Sequence, residues 1–297
     1  MKKKRAVVFV LLAGILWGSL GITVRVLSSL GLSAIQIVVC RFIGAAVVLL
    51  LCFGVADRKK LYIEKKDIKY FIVFGLFGFL FYHICYTVTI QLTSLSIAVA
   101  LLYTSPIWAM LVSIPVFHEQ LTKTKGMAIF LSFLGCGMMS GVLSGGLEVV
   151  PLGILTGLLA GIGYGSYGVF AKILIKKYHA WTVTFYVFLI SSVGGFFICH
   201  PKELAITLFD NPVIILYILI ASIVCFVIPF GIYNLALNDI EASRAAVIVS
   251  IEPVMATIFG VVIYKETLSV PIIIGMCCVL AAIFILNKRK EYFIKNL

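Results

Sequence analysis

Three ionisable side chains, Arg41, His83 and Glu252, fall inside long apolar runs of the chain. A titratable group in such a run is expensive to bury, so each is a site candidate by default. His83 sits beside Tyr82 and one helical turn before Tyr86. Tyr82 and Tyr86 then share a helix face at i, i+4, with His83 about 100° round from Tyr82. Tyr103, Ser105 and Trp108 surround Pro106 in the same way. With Trp17, Tyr164, Tyr167 and Tyr233 these rings form candidate walls for a solute. Aromatic walls suit an apolar or cationic solute, each stacking or cation–π contact contributing about 0.5–2 kcal/mol. The other reading of the same rings is a belt facing lipid. His83 offers a solute contact or a proton-linked switch near neutral pH, or is satisfied by a helix neighbour. Glu252 offers a seat for a cation or a coupling proton, or is protonated, or pairs with Arg41. Proline frees a carbonyl one turn earlier, so Pro106 and Pro253 each predict a kink with an open acceptor.

The elements that must position these groups follow from composition. Of 297 residues, 62% are apolar and only 12% charged, against roughly 25% charged in soluble domains. Mean hydropathy is +1.17, which excludes a soluble globular protein. Apolar runs cover residues 6–27, 33–55, 69–91, 95–117, 125–143, 151–171, 181–199, 212–234, 243–263 and 269–287. Each is close to the ~20 residues that cross a ~30 Å hydrocarbon core. The charged start Met1 to Arg5 has the form of a signal peptide, but the apolar run from Ala6 to Leu27 is too long and lacks a cleavage site, so it reads as the first span. The fold class is therefore all-α integral membrane, with ten spans and both termini on one side.

The 24 Lys and Arg give a net charge of +12, and their placement decides what that means. One set of alternating segments holds Lys2 to Arg5, the six between Arg58 and Lys69, Lys123, Lys125, Lys172, Lys176, Lys177, Arg244, Lys288, Arg289, Lys290 and Lys295. The other set holds Arg25, Lys202 and Lys265. Basic residues accumulate on the cytoplasmic side, which places both termini there. The charge is a topology signal and calls for no nucleic acid. The eight cysteines lie in or beside apolar runs without metal-ligand spacing and read as small apolar residues.

The second half repeats the first at a constant shift of 147 residues: Leu11 to Ile15 returns as Leu158 to Ile162, Pro106 as Pro253 and Glu119 as Glu266. Residues 1–145 and 146–297 thus form two five-span units. An odd number of spans per unit inverts the second copy, and inverted repeats are the basis of alternating access in secondary transporters. Within this frame Arg25 and Glu266 should lie near the outer face and their mates Lys172 and Glu119 near the inner face, as two opposite-charge pairs that latch alternate gates. An exposed pair is worth only ~0–1 kcal/mol, and plain membrane anchoring is the alternative. Gly14/Gly18, Gly157/Gly161/Gly165 and Gly137/Gly141 supply small-residue faces for packing or dimerisation.

Trp17-Gly18-Ser19, Arg41, Ser105-Pro106, Glu252-Pro253, and the Glu-x-Leu at Glu119 and Glu266 occur in an order that resembles the ten-helix EamA branch of the drug/metabolite transporter superfamily. The resemblance covers nearly the whole chain. It implies a carrier or exporter of small organic molecules in a bacterial cytoplasmic membrane, with a central cavity lined by the first, third, fourth, sixth, eighth and ninth helices. Members handle amino acids, sugars, nucleosides and organic cations, so it names no substrate. The expectation is a monomeric or homodimeric exporter of a metabolite such as an amino acid, with no cofactor. An uncoupled facilitator or channel is the alternative. An intramembrane enzyme has little support: the four histidines are dispersed, His-Glu-x-x-His and P-loop motifs are absent, and no acid–base pair shares a helix.

Overall fold

In hydrocarbon every backbone N–H and C=O must be paired inside the protein, and a helix does this within one segment. The computed structural model, which describes residues 3–93, 95–140, 150–265 and 267–294 apart from the side chains of Ser96 and 287–294, is accordingly helical, with no strand among the described residues. We label the helices α1 (Lys3–Ser29), α2 (Ala34–Ala56), α3 (Lys65–Leu92), α4 (Ile97–Phe117), α5 (Lys123–Met139), α6 (Pro151–Ile175), α7 (Ala180–Phe196), α8 (Pro201–Asp210), α9 (Val213–Ala236), α10 (Ala242–Tyr264) and α11 (Val270–Ile294). Among the described residues seven of these, α1 to α4, α6, α9 and α10, are each long and apolar enough to cross a bilayer. The pair α7 and α8 passes the same test only together, bent by 102°.

The sequence reading leaves 200–211 as a loop, whereas the structure forms α8 there. Pro201 at the first helical position and Glu203 in the first turn are start signals. Only Leu204 is buried along it, which is why no apolar run announces it.

Four helices are interrupted at matching depths in the two halves. α4 breaks at Tyr103–Thr104 and α10 at Ser250, and a new helical segment starts at Ser105 and at Ile251. Pro106 and Pro253 thus sit in the first turn after each break, where a missing N–H costs nothing, while the carbonyls four residues earlier lose their partner. α3 and α9 widen into π-helical turns at Phe74–Leu80 and Ile223–Val227. π-Bulges are frequent at functional sites.

Packing follows the repeat. Lipid supplies no hydrophobic drive between helices, so close approach of backbones through small residues must hold them together. A Cβ on Gly18 of α1 would meet the Glu252 carbonyl and the Ala256 N of α10, each at 3.0 Å. A Cβ on Gly165 of α6 would meet the Ser105 carbonyl and, at 3.0 Å, the Ala109 N of α4. These are the same contacts shifted by 147 residues, so the first helix of each half lies on the fourth of the other. α5 and α11 meet as tightly, with Gly135 facing the Gly275 carbonyl at 2.6 Å from its would-be Cβ. Gly137 faces open space and takes no part, while Gly141 lies outside the described residues. All eight cysteines are free.

At one end of the bundle Lys177 binds Glu64 at 2.7 Å and Asp67 at 2.6 Å, tying the loop before α3 to the α6–α7 turn. The Lys177 and Lys66 ammonium groups hold the Glu64 carboxyl below its usual range.

Placing a side chain at the Gly165 crossing forces α6 from α4. We expect Gly165→Val to cost about 1–3 kcal/mol of stability by overpacking, read as a lowered thermal midpoint in detergent. Gly21→Ala, with nothing within 4 Å of its would-be Cβ, should leave the midpoint nearly unchanged. Equal shifts would contradict the packing account.

Candidate functional site

Helices α1, α4, α6, α9 and α10 converge where the breaks of α4 and α10 face each other. Trp17, Ser105, Tyr164, Tyr167, Tyr233, Ala246 and Val249 line the space left there. It is nearly closed: about 10 Å³ is open to the centre of a water-sized sphere, room for about one water. Trp17 packs edge-on against Phe230 at 4.6 Å and lies 5.5 Å from Tyr233. Tyr82 reaches the same group through Tyr164, ring centroids 5.7 Å apart. The Trp17 indole N–H is buried without a hydrogen-bond partner.

Glu252 lies in the first turn of the second segment of α10, directly after the break. The Tyr164 hydroxyl donates to its carboxylate at 2.8 Å, and the Tyr103 hydroxyl is also in reach. Its position in the repeat corresponds to Ser105, so the carboxylate has no mate in the first half. Arg41 stands apart from it, 4% exposed, on α2. Its Nε donates to the Ile37 carbonyl at 3.1 Å, and its guanidinium carbon lies 5.0 Å above the Phe226 ring. Nη1 has no partner. Arg41 and Glu252 therefore form no pair with each other.

His83 continues the aromatic wall, 4.1 Å from Tyr82 and 4.7 Å from Phe79 between centroids. Its Nδ1 is 3.1 Å from the Phe79 carbonyl; a carbonyl only accepts, so the proton sits on Nδ1. Tyr86, a turn beyond, is within electrostatic range of Glu252 but does not line the central space. Of the rings expected at a solute, then, Trp17, Tyr164, Tyr167 and Tyr233 line the space, Tyr82, Tyr103 and His83 adjoin it, and Tyr86 is an electrostatic neighbour of Tyr103 and Glu252.

A buried polar chain escaped the sequence reading. The Asn234 amide donates to the Tyr167 hydroxyl at 3.0 Å and to Thr184 at 2.9 Å. Asn234 is fully buried in an apolar run, and that alone was the available signal.

Glu119 and Lys172 are arranged differently from the expected charge pair. Glu119 is 8% exposed and accepts from the Ala242 N–H at 3.2 Å, from the Ser243 hydroxyl and from Lys125 at 3.4 Å. Lys125 also binds Glu241 at 2.9 Å. Lys172 instead donates to the Ile240 carbonyl at 2.6 Å and lies over Phe117. The reason is geometric: the Ala242 N–H that begins α10 and the Ser243 hydroxyl beside it donate to Glu119, and a carboxylate satisfies several donors there at once. At the other end of the bundle the Arg25 guanidinium lies 4.2 Å above the Tyr264 ring, and Glu266 is outside the described residues. Glu119→Ala strands buried donors and should lower stability by about 1–3 kcal/mol, Ser243→Ala by less. Because they share one bond, the double variant should unfold in denaturant close to Glu119→Ala alone; strict additivity would contradict the clasp.

The EamA-like transporter family matches residues 4–141 and again 151–288, two segments that start 147 residues apart. An uncharacterized transporter of Archaeoglobus fulgidus is 23% identical over 277 residues, covering 93% of this chain and 95% of that protein. The uncharacterized transporter YetK of Bacillus subtilis is 26% identical over 261 residues, covering 84% and 77%. A solved crystal structure shares the fold with a TM-score of 0.80 at 17% identity, over 99% of both chains. With two family segments spanning most of its length and helices of membrane length between them, the chain is a multi-pass membrane protein of the EamA-like transporter family.

Proposed function

We propose that this protein is a secondary carrier that exports a small organic metabolite, such as an amino acid, from the bacterial cytoplasm by alternating access. In this reading α5, the bent α7 and α11 complete ten spans in two inverted five-span units, 1–145 and 146–297, with both termini cytoplasmic. Basic residues fall on the cytoplasmic segments in the count above. The single observation that carries the reading is the cleft between the halves, where α4 and α10 are broken at corresponding depths beneath aromatic and carboxylate side chains. Broken helices meeting at a repeat interface are where transporters of this type hold solute.

The site is Trp17, Tyr82, Tyr103, Tyr164, Tyr167, Tyr233 and Glu252, with Arg41, His83 and Tyr86 behind. Pro106 and Pro253 keep the two segments of each broken helix apart. Glu119 from the first half holds the start of α10 in the second, so inward opening requires that clasp to release. The nearly closed centre favours a carrier over an open channel, and the absence of an acid–base pair in the cleft disfavours an intramembrane enzyme.

Counterflow in proteoliposomes tests the reading. Vesicles loaded with a pool of amino acids, sugars, nucleosides and organic cations should exchange labelled members of one class, and Tyr103→Ala should abolish that exchange in folded protein. No exchange of any class by folded protein would overturn it.

A further inference from the structure

A groove of about 410 Å³, far roomier than the cleft, lies on the flank of the bundle between the start of α3 and the middle of α7. That volume falls in the ~300–1,000 Å³ range of small-molecule sites. Its nine lining side chains are all Leu, Ile, Phe or Tyr, among them Ile68 and Ile72 of α3 and Leu189 and Ile190 of α7. Ile68 and Ile72 are each 40% exposed, so the groove opens outward from the bundle. The loop before α3 supplies Leu61, Tyr62 and Ile63 to the lining. That loop is pinned in place: the Tyr186 hydroxyl donates to the Leu61 carbonyl at 2.6 Å, and the Glu64 N–H donates to the Tyr178 hydroxyl at 3.1 Å.

The repeat shows what such a space takes. At the shift of 147 residues Leu61, Phe71, Tyr186 and Ile190 correspond to Leu208, Ile218, Val39 and Ile43. Those four mates belong to one apolar cluster that also holds Leu204 of α8, buried within it. The mate of Leu204 in the first half is Asp57, which pairs with Lys60 at 3.4 Å, and the mates of α8 form only a short 3₁₀ turn at Arg58–Leu61. The second half thus fills its copy of the groove with a side chain of its own. The first half leaves its copy open.

Charge beside the groove names the occupant. Six cations and three carboxylates lie between Asp57 and Lys69. The carboxylates are taken: Asp57 by Lys60, Glu64 by Lys66 and Lys177, and Asp67 by Lys177. Arg58, Lys59, Lys65 and Lys69 are exposed, with no carboxylate partner among the described residues; Arg58 holds the Gly54 carbonyl and Lys69 lies over Tyr70. Lys65, Ile68, Lys69 and Ile72 follow at i, i+3, i+4 and i+7, so two of these cations border the apolar strip that lines the groove. We propose that the groove binds an anionic phospholipid, with one acyl chain along Ile68, Ile72, Leu189 and Ile190 and the headgroup phosphate held by Lys65 and Lys69. Clustered Lys and Arg at a helix end recognise anionic headgroups, and a lysine ammonium binds phosphate as a point charge. Because α3 belongs to the first half and α7 to the second, the bound lipid braces the two at the end where Lys177 already ties them.

Native mass spectrometry of delipidated protein in a neutral detergent tests this. Dioleoyl phosphatidylglycerol should be retained as a one-to-one adduct at about tenfold lower concentration than dioleoyl phosphatidylcholine, the effect of one charge-assisted hydrogen bond. Free glycerol 1-phosphate should not displace it, because the acyl chain supplies the seat. A phosphatidylglycerol carrying a diazirine on its acyl chain should label residues 68–72 or 186–190 of the wild-type protein on irradiation. Lys65→Gln with Lys69→Gln should bring the two lipids level, and Ile190→Trp, which fills the groove, should weaken both. Equal retention of the two lipids by wild-type protein, or label confined to other helices, would overturn the site. So would displacement by free glycerol 1-phosphate, or a lipid-resistant dimer whose interface holds residues 68–72.

Discussion

Two helix crossings carry the architecture. α1 approaches α10 over Gly14 and Gly18, and α6 approaches α4 over Gly161 and Gly165, closely enough that a methyl group at any of them would strike the neighbouring helix. Lipid does not drive helices together as water does, so such contacts must supply the association. Because the backbones meet there, the breaks of α4 and α10 are brought to the middle of the bundle. Everything at the cleft depends on this: the first-turn carboxylate of Glu252 and the rings of Tyr103 and Tyr164 that reach it.

The frame is symmetric and its contents are not. Trp17 corresponds to Tyr164 and Tyr103 to Ser250, while Glu252 and Arg41 correspond to uncharged residues. A repeat that keeps its glycines in place while differing at its central side chains separates two tasks. Backbone proximity holds the halves together, and the unshared side chains give the cleft a direction. The clasp of Glu119 on the start of α10 adds a third element, a polar contact between halves at one end of the bundle, away from the cleft.

Much of this was legible in the residues, for identifiable reasons. Helix placement follows from apolar run length, and the shift of 147 residues pairs each residue of the first half with its mate in the second. Trp17, Arg41, Tyr82, His83, Tyr86, Tyr103, Tyr164, Tyr167, Tyr233 and Glu252 could be named as candidates because polar and aromatic groups in apolar runs are conspicuous. What failed was pairing. The repeat register and charge placed Lys172 near Glu119, but could not show that the Ala242 N–H, the Ser243 hydroxyl and Lys125 would reach the carboxylate first. Helix α8 was missed because its polarity resembles a loop, and the Asn234–Tyr167–Thr184 chain because three helices must meet to form it.

The central claim is that solute crosses at a cleft whose two halves must separate. Locking the clasp tests it most directly. With the eight native cysteines replaced, cysteines at positions 119 and 243 are bridged by a short bifunctional thiol reagent, and counterflow is measured before bridging, after it, and after release with a cleavable form of the reagent. The account predicts that bridging stops exchange and cleavage restores it. Unchanged exchange in fully bridged protein would contradict it.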